Sequence, residues 1–541
     1  MTDLHDHATI GETWATAVEC HRDRPVIIIP ASAGRSFHPD GLEITYAEAN
    51  GAVERLIDAY ANAGYGLGHR VSLLLDNRPE HLLHRLALNC LGVSCVPINP
   101  DYRPAEIAYL IDHSEPELIL VLRSRAQQIA DGLALAETRN KPHVQILEDV
   151  FAPPPPRTAP QSGSVTPATE AEILYTSGTT GRPKGCILSH GYEIASGAWY
   201  ATRPGRAAVQ DGAERIYNPL PLYHCNSGVV SFYGAVLTGG AQIQSERFHP
   251  ERWWREIRQT KASIVHYLGV IVPMLLAQSP SELDRQHNVR FAFGAGCEPQ
   301  LHAPFEARFG FPLLEGWGMT EMVRILIDSV EPRQIGTRAF GRAQPGVDVR
   351  VVDDHDQDVA DGTPGEMVLR HSAESPRRGA FSGYLKNPEE TEKSWRGGWF
   401  HTGDTVYRAP GGMLHFVDRK KNIIRRSGEN IAAAEIEALL LTHPDVLQVA
   451  VMAVKDEVRE EEVLACLVLK SVRGDHDKAE ALFRFCHERL AYYKAPGWIW
   501  FTHALPTTGT QKIQKHTIFP GIADPRQASG MLDFRSLKKR T

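Results

Sequence analysis

Along the N-terminal part of the chain, short apolar runs alternate with segments whose apolar residues recur at helical spacing. Ile44-Thr45-Tyr46 leads into a helical segment ending near Tyr65, and Val71–Leu75 reads as a buried strand before a helix around His81–Leu91. The pattern continues with a strand at Cys95–Ile98, a helix at Pro104–His113 and a strand at Leu118–Leu122. Apolar runs of this length between helices predict parallel strands covered on both faces. Ala152–Pro156 opens a Pro/Ser/Thr-rich connector reaching about Thr169, read as a flexible surface loop. The pattern breaks again at Phe416–Asn422, where Asp418, Arg419, Lys420 and Lys421 interrupt the apolar positions. Beyond that break, a helix at Ala432–Leu441, strands at Leu447–Val454 and Val463–Leu469, a helix at Lys478–Leu490 and a strand at Trp498–Phe501 predict a compact α+β domain. The expected fold class is α/β, a large N-terminal domain of mainly parallel sheets flanked by helices and a small C-terminal α+β domain.

Composition agrees with this picture and removes some functions. A chain of 541 residues, 42% hydrophobic and 23% charged, can bury ample core and is long enough for a large and a small domain. A formal net charge of −7 argues against a nucleic-acid partner. The basic run Lys538-Lys539-Arg540 reads as a solvated tail. No apolar stretch approaches the roughly 20 residues of a membrane span, and the N-terminus lacks the order of a signal peptide. The eight cysteines are scattered without a CxxC pair, which predicts reduced thiols in a cytoplasmic protein and neither a disulfide framework nor a zinc site.

The densest chemistry lies in Tyr175-Thr176-Ser177-Gly178-Thr179-Thr180-Gly181-Arg182-Pro183-Lys184-Gly185, after the strand residues Ile173-Leu174. Glycines let backbone N–H groups turn toward an anion, hydroxyls add donors, and Lys184 or Arg182 can offset charge on phosphate oxygens. No Gly-Lys-Ser/Thr closes the segment, so it is not the loop of P-loop ATPases. It resembles the phosphate loop of the adenylate-forming superfamily: acyl-CoA synthetases, peptide-synthetase adenylation domains and beetle-type luciferases.

Further segments resemble that family in order. Gly294-Ala295-Gly296, after an expected strand at Val289–Phe293, is similar to the turn beneath the adenine and acyl pocket. Glu315-Gly316-Trp317-Gly318-Met319-Thr320-Glu321 is similar to the segment against adenine and the α-phosphate. There Trp317, where most members have Tyr, offers a ring for stacking, Thr320 a phosphate donor and Glu321 an oxygen ligand for Mg²⁺. In Trp399–Asp404 the resemblance gives Asp404 to the ribose hydroxyls, and in Asp418–Lys421 it gives Arg419 to ribose or phosphate and makes Lys421 the hinge. Arg426-Ser427-Gly428-Glu429-Asn430-Ile431 resembles the loop used for thioester formation, with Gly428 leaving room for pantetheine. Pro506–Ile513 resembles the segment of the adenylation lysine, Lys512, although Gln511 stands where the family usually has Gly and Lys515 is a rival.

The resemblance runs from Tyr46 to Lys515 and implies an AMP-forming acid–CoA ligase acting in two half-reactions. Acyl-AMP and pyrophosphate form first, with Mg²⁺ held by Thr176 and Glu321, with Thr179 and Lys184 on the leaving phosphates, and with Lys512 at the reacting centre. The C-terminal domain (422–541) then turns on a hinge (419–421) against the N-terminal ATP- and acyl-binding domain (1–418), and coenzyme A takes the acyl group. The acyl pocket is expected from Tyr223–Gly228, Tyr267–Val270, Gly294–Cys297 and Gly318–Met322, with His224 either gating the site or serving as a core histidine. Partners are then a small carboxylic acid and CoA, with a homodimer as an allowed assembly. Segments around Ile424–Ala434 and Pro506–Lys515 resemble carnitine/crotonobetaine-type and medium-chain ligases. Loading of a carrier protein, luciferase-type oxygenation and non-catalytic nucleotide binding are the alternatives.

Overall fold

The structure is a computed structural model describing residues 8–176, 183–419, 422–426, 429–456, 459–470, 474–490, 492–507 and 513–538. The chain divides into two compact units, residues 1–348 with 370–399, and residues 349–369 with 400–541.

The first unit holds two mostly parallel sheets. One runs, in spatial order, Gly383–Tyr384, Lys184–Ser189, Glu170–Thr176, Ser94–Pro97, Arg70–Leu74, Leu118–Val121 and His143–Ile146. The four pairings from Glu170–Thr176 to the His143–Ile146 edge are parallel, and Lys184–Ser189 runs antiparallel to both its neighbours. The other runs Met322–Ile327, Leu313–Met319, Phe291–Ala295, Ile264–Leu268, Arg215–Tyr217, Ala241–Ile243, Pro25–Ile29 and Leu42–Thr45. The expected βα alternation is present: helices Tyr46–Ala63, Pro79–Cys90 and Pro104–Ser114 fall where the apolar spacing places them. Leu118–Val121 is buried at every position, as a strand covered on both faces must be. Helix Tyr46–Ala63 starts on a capping box between Thr45 and Glu48 and stops at Gly64, whose φ of 97° ends it.

The connector 152–169 has the exposed and largely irregular course expected of a surface loop, and side chains tie it to its neighbours. Arg157 pairs with Glu117 at 2.8 Å, Thr158 donates to the same carboxylate at 2.9 Å, and Tyr65 donates to the Pro154 carbonyl at 2.9 Å. One buried carboxylate thus pins a segment with almost no regular structure of its own.

In the second unit, Asp348–Val352, Gly365–Arg370, Phe400–Arg408 and Leu414–Arg419 lie side by side in one sheet. A further sheet is built on Val446–Asp456 and Glu460–Leu469, joined by Ile423–Arg426, Glu429–Ala432, Trp498–Phe501 and Leu532–Asp533. Helices Ala433–Leu441 and His476–His487 cover it through Ile436, Leu440, Leu482 and Phe483. Lys538 corrects the reading of a solvated tail. Its ammonium is fully buried, donating to Glu462 at 2.5 Å and to the Tyr493 carbonyl at 2.9 Å, and Glu462 also accepts from Arg426 at 2.8 Å. Apolar periodicity does not reveal a lysine that buries its charge against a distant carboxylate. Among the described residues, no helix is long and apolar enough to cross a membrane.

Candidate functional site

In the first unit, Glu170–Thr176 and Lys184–Ser189 form an antiparallel hairpin with Thr176 directly opposite Lys184. These two residues stand at the two ends of the glycine-rich segment; Ser177, Gly178, Thr179, Thr180 and Gly181 lie outside the described residues. Lys184 Nζ donates to Glu390 Oε1 at 2.5 Å and sits 4.9 Å from the centre of the Tyr384 ring. The Tyr384 hydroxyl donates to Glu321 Oε1 at 2.9 Å, so Glu390, Lys184, Tyr384 and Glu321 form one continuous chain of contacts. Burial first, and then Glu321, raise the Tyr384 hydroxyl above the usual phenol range, keeping it a donor.

Sequence reasoning missed Tyr384 and Glu390. Asn387-Pro388-Glu389-Glu390 does carry a visible helix start, and the Asn387 side chain accepts from the Glu390 N–H at 3.1 Å. Nothing local says that this turn meets a lysine 206 positions earlier in the chain.

Thr320 and Glu321 are the two residues of the turn joining strands Leu313–Met319 and Met322–Ile327. Both are buried, and the turn is held from outside: Tyr192 donates to the Thr320 carbonyl at 2.6 Å and the Phe381 N–H to the Glu321 carbonyl at 3.0 Å. A bulge between Trp317 and Met319 leaves Gly318 exposed. Trp317 is buried, with Phe340 at 6.5 Å between ring centres.

Thr176 Oγ1 lies 3.8 Å from Cys186 Sγ, and Glu321 neighbours the same sulfur. Burial, followed by the Glu321 charge, pushes the Cys186 thiol well above its ordinary range, so it stays neutral. Among the described residues no three His, Cys, Asp or Glu side chains gather as a metal cage. One carboxylate and one hydroxyl are the protein donors that Mg²⁺ uses when substrate phosphates and water complete its shell, so Thr176 and Glu321 fit that ion.

The Gly294–Gly296 segment differs from expectation: the strand is Phe291–Ala295, so Gly294 and Ala295 close it and only Gly296, at φ 84°, makes the turn. Two backbones touch here. A Cβ on Gly269 would lie 1.9 Å from the Gly296 carbonyl oxygen, and one on Gly294 would lie 2.3 Å from that of Tyr267. Glu315 fixes the turn by accepting from the N–H groups of Gly296 at 2.9 Å and Cys297 at 3.1 Å, and from the Tyr267 hydroxyl. Its burial raises the carboxyl above the usual range against the pull of those three donors. Gly316 continues the strand opposite Ile327.

His224 is exposed, so the core-histidine alternative falls away. It precedes a π-helical turn, Cys225–Ser231, whose first N–H groups bond to the His224 carbonyl: Ser227 at 3.2 Å and Gly228 at 2.9 Å. The fully buried Arg85 donates to the Gly228 carbonyl and to Glu193 and faces Glu172 at 3.4 Å. That turn is therefore braced from inside by a buried ion cluster.

In the second unit, Asp404 and Arg419 are direct cross-strand partners, with Arg419 Nε 2.7 Å from Asp404 Oδ1. The segment before Asp404 is held by Thr402, which donates to the Met367 carbonyl at 2.7 Å, and by the Gly403 N–H, which donates to Glu366 at 3.1 Å. Asp418 Oδ1 accepts from the Arg419 N–H at 2.7 Å and from Asn422 Nδ2 at 3.1 Å, while its Oδ2 accepts from the Ala434 N–H at 2.8 Å. That last bond caps helix Ala433–Leu441, whose own N-cap, Ala432, has no side chain to do so. Lys421, Ser427, Gly428 and Lys512 lie outside the described residues, and of Glu429 only the backbone is described, paired with Arg426. The rival Lys515 forms an ion pair with Glu437 at 2.8 Å.

The model of the AMP-binding enzyme family matches residues 14–385, and that of the AMP-binding enzyme C-terminal domain matches 435–512. The crotonobetaine/carnitine–CoA ligase of Escherichia coli strain SE11 is 30% identical over 520 residues, covering 93% of this chain and 97% of the relative. ATP-bound MatB from Rhodopseudomonas palustris superposes with a TM-score of 0.78 at 25% identity, over 94% of this chain and 98% of its own. The amide bond synthetase McbA from Marinactinospora thermotolerans gives 0.77 at 25% identity, over 94% and 99%.

Proposed function

This chain belongs to the AMP-binding enzyme family, and on that premise we propose that it is an AMP-forming acid–CoA ligase. The observation that carries the reading is the chain Glu390–Lys184–Tyr384–Glu321 beside the Thr176–Lys184 pair, which gathers an ammonium, a hydroxyl and a buried carboxylate around the glycine-rich segment. The relatives named as CoA ligases support thiol transfer.

In the first half-reaction a carboxylate oxygen attacks the α-phosphorus of ATP, the bond to the bridging oxygen breaks, and pyrophosphate leaves with the electron pair. Lys184 exchanges Glu390 for the departing phosphates, Thr176 and Thr179 donate to their oxygens, and Thr320 donates to the α-phosphate. Thr176 and Glu321 are the residues that would hold Mg²⁺, which when bound supplies positive charge to those oxygens. Lys512 serves the carboxylate and the bridging oxygen. Asp404 takes the ribose hydroxyls, Arg419 orients it, and Glu315 keeps the Gly294–Gly296 turn in place beside the base and Trp317. In the second half-reaction the CoA sulfur attacks the acyl carbon and AMP departs, with Ser427, Gly428 and Glu429 at the thiol and a domain turn about Lys421 separating the two chemistries. His224 stands at the entrance for the acid. We place it in the cytoplasm, a reading that its eight free thiols support.

The test is a panel of carboxylic acids scored for pyrophosphate and AMP release with CoA, with holo-carrier protein, with a simple amine, and with no acceptor. Acid-dependent pyrophosphate release and CoA-dependent AMP release are expected. Absence of CoA-dependent turnover with every acid overturns the acceptor assignment.

A further inference from the structure

A buried polar network behind the π-helical turn ends on a single half-exposed amide, and its bonds decide which way that amide faces. The Leu220 N–H donates to Asn218 Oδ1 at 3.1 Å, so the donor end of Asn218 is its Nδ2. That nitrogen donates to Asn226 Oδ1 and to Ser231 Oγ, each at 2.9 Å. Asn226 Oδ1 also lies 2.8 Å from His266 Nδ1. An amide oxygen can only accept, so His266 carries its proton on Nδ1 and its Nε2 accepts from the Tyr200 hydroxyl at 2.9 Å. Burial lowers the His266 pKa to about 3, so the ring is neutral and this tautomer persists.

Asn218, Ser231 and His266 are fully buried, whereas Asn226 is only partly so. With Oδ1 taken by two donors, the Asn226 amide cannot turn over without setting its N–H groups against those donors. Its Nδ2 bonds to no described residue. A network serving stability alone ends on satisfied atoms; this one ends on a fixed NH₂ that no described residue accepts from, two residues after the exposed His224.

We propose that Asn226 Nδ2 is the specificity donor of the acyl site, and that the acid taken there carries a second oxygen, a carbonyl or hydroxyl, along its chain. This rests on the acid–CoA ligase reading and names its substrate class. An acid lacking that oxygen would cover the amide and leave its N–H groups unpaired, which discriminates against it by about 10- to 100-fold. Tyr200 and His266 are positioning residues, acting only through Asn226.

The experiment compares kcat/KM, by CoA-dependent AMP release, for acids matched in length with and without the oxygen, such as 3-hydroxybutyrate against butyrate and 4-oxopentanoate against pentanoate. Asn226→Asp keeps the acceptor for Asn218 and His266 and replaces only the NH₂; Asn226→Ala removes both ends and is the second variant. The wild type is expected to favour the oxygenated member of at least one pair by about tenfold or more, and both variants to bring that ratio close to one. Tyr200→Phe, which frees the other histidine tautomer, should lower the ratio partway without changing KM for ATP. A wild type that prefers the plain acid in every pair, or an Asn226→Asp enzyme that keeps the wild-type ratio, overturns the proposal. Failure of the ligase reading looks different: no acid, plain or oxygenated, supports CoA-dependent turnover, and the proposal falls with it.

Discussion

Asp404 and Arg419 face each other across two antiparallel strands, and the carboxylate is 1% exposed while the guanidinium side chain remains 38% exposed. The buried acid is therefore oriented by a partner that itself reaches solvent. Asp404→Asn should keep the fold and lower kcat/KM for ATP by about 10- to 100-fold, the scale of a charge-assisted hydrogen bond. Arg419→Lys, which loses the planar fork, should fall between that variant and the wild type. Pyrophosphate-exchange kinetics at varied ATP measure both.

Glu390 holds Lys184 and must give it up to an incoming phosphate. Glu390→Gln should lower KM for ATP by about two- to fivefold, since an ion pair that still reaches solvent contributes under about 1 kcal/mol. Lys184→Ala should cut kcat by about 100-fold or more through lost charge stabilisation. An unchanged KM in Glu390→Gln would show that the pair does not compete with the nucleotide.

Tyr384 donates to the carboxylate placed to hold Mg²⁺. Tyr384→Phe should raise the Mg²⁺ concentration for half-maximal pyrophosphate release by about tenfold, with little effect on Tm. A Mg²⁺ titration at saturating ATP reads this directly.

Burial lowers the Lys538 pKa to about 8, against an ordinary value of 10.5. Below pH 8 the lysine is protonated both folded and unfolded, and the burial cost is present in full. Between pH 8 and 10.5 the unfolded chain binds more protons, so stability rises with pH. Relative to Lys538→Met, the wild type should gain on the order of 3 kcal/mol across that window. Denaturant melts of both proteins at pH 7.5 and 10 measure the difference, in which the other titrating groups cancel.

Gly269→Ala should be severe, because its methyl would meet the Gly296 carbonyl at 1.9 Å with backbone on both sides. The Gly296 turn and the Glu315 bonds to it must shift. A loss of about 1–3 kcal/mol is expected, with KM for ATP rising more than KM for CoA.

Much of the fold was legible because it rests on local patterns. The runs Val71–Leu75 and Leu118–Leu122 are apolar for the same reason that their strands are covered on both faces, and Trp498–Phe501 was located to the residue. The candidate site was legible only where its residues cluster along the chain, as in Tyr175–Gly185 and Glu315–Glu321. The ties between clusters were not. Glu390 meets Lys184, Lys538 meets Glu462, and residues 349–369 join 400–541 through long-range contacts that leave no periodic mark. The connector 152–169 shows the same limit: its composition marks a surface loop, but nothing local marks Glu117 as the carboxylate that fastens it.

The turn Thr320–Glu321 contains no spare residue. A strand's side chains alternate between faces, so one residue inserted there would invert every position from Met322 to Ile327 and detach Met322 from its bridge to Ala380. The length of this hairpin is thus as constrained as its chemistry. Chains descended from a common ancestor with this one should keep both the side chains and the residue number of the turn, while insertions collect in the exposed parts of 152–169.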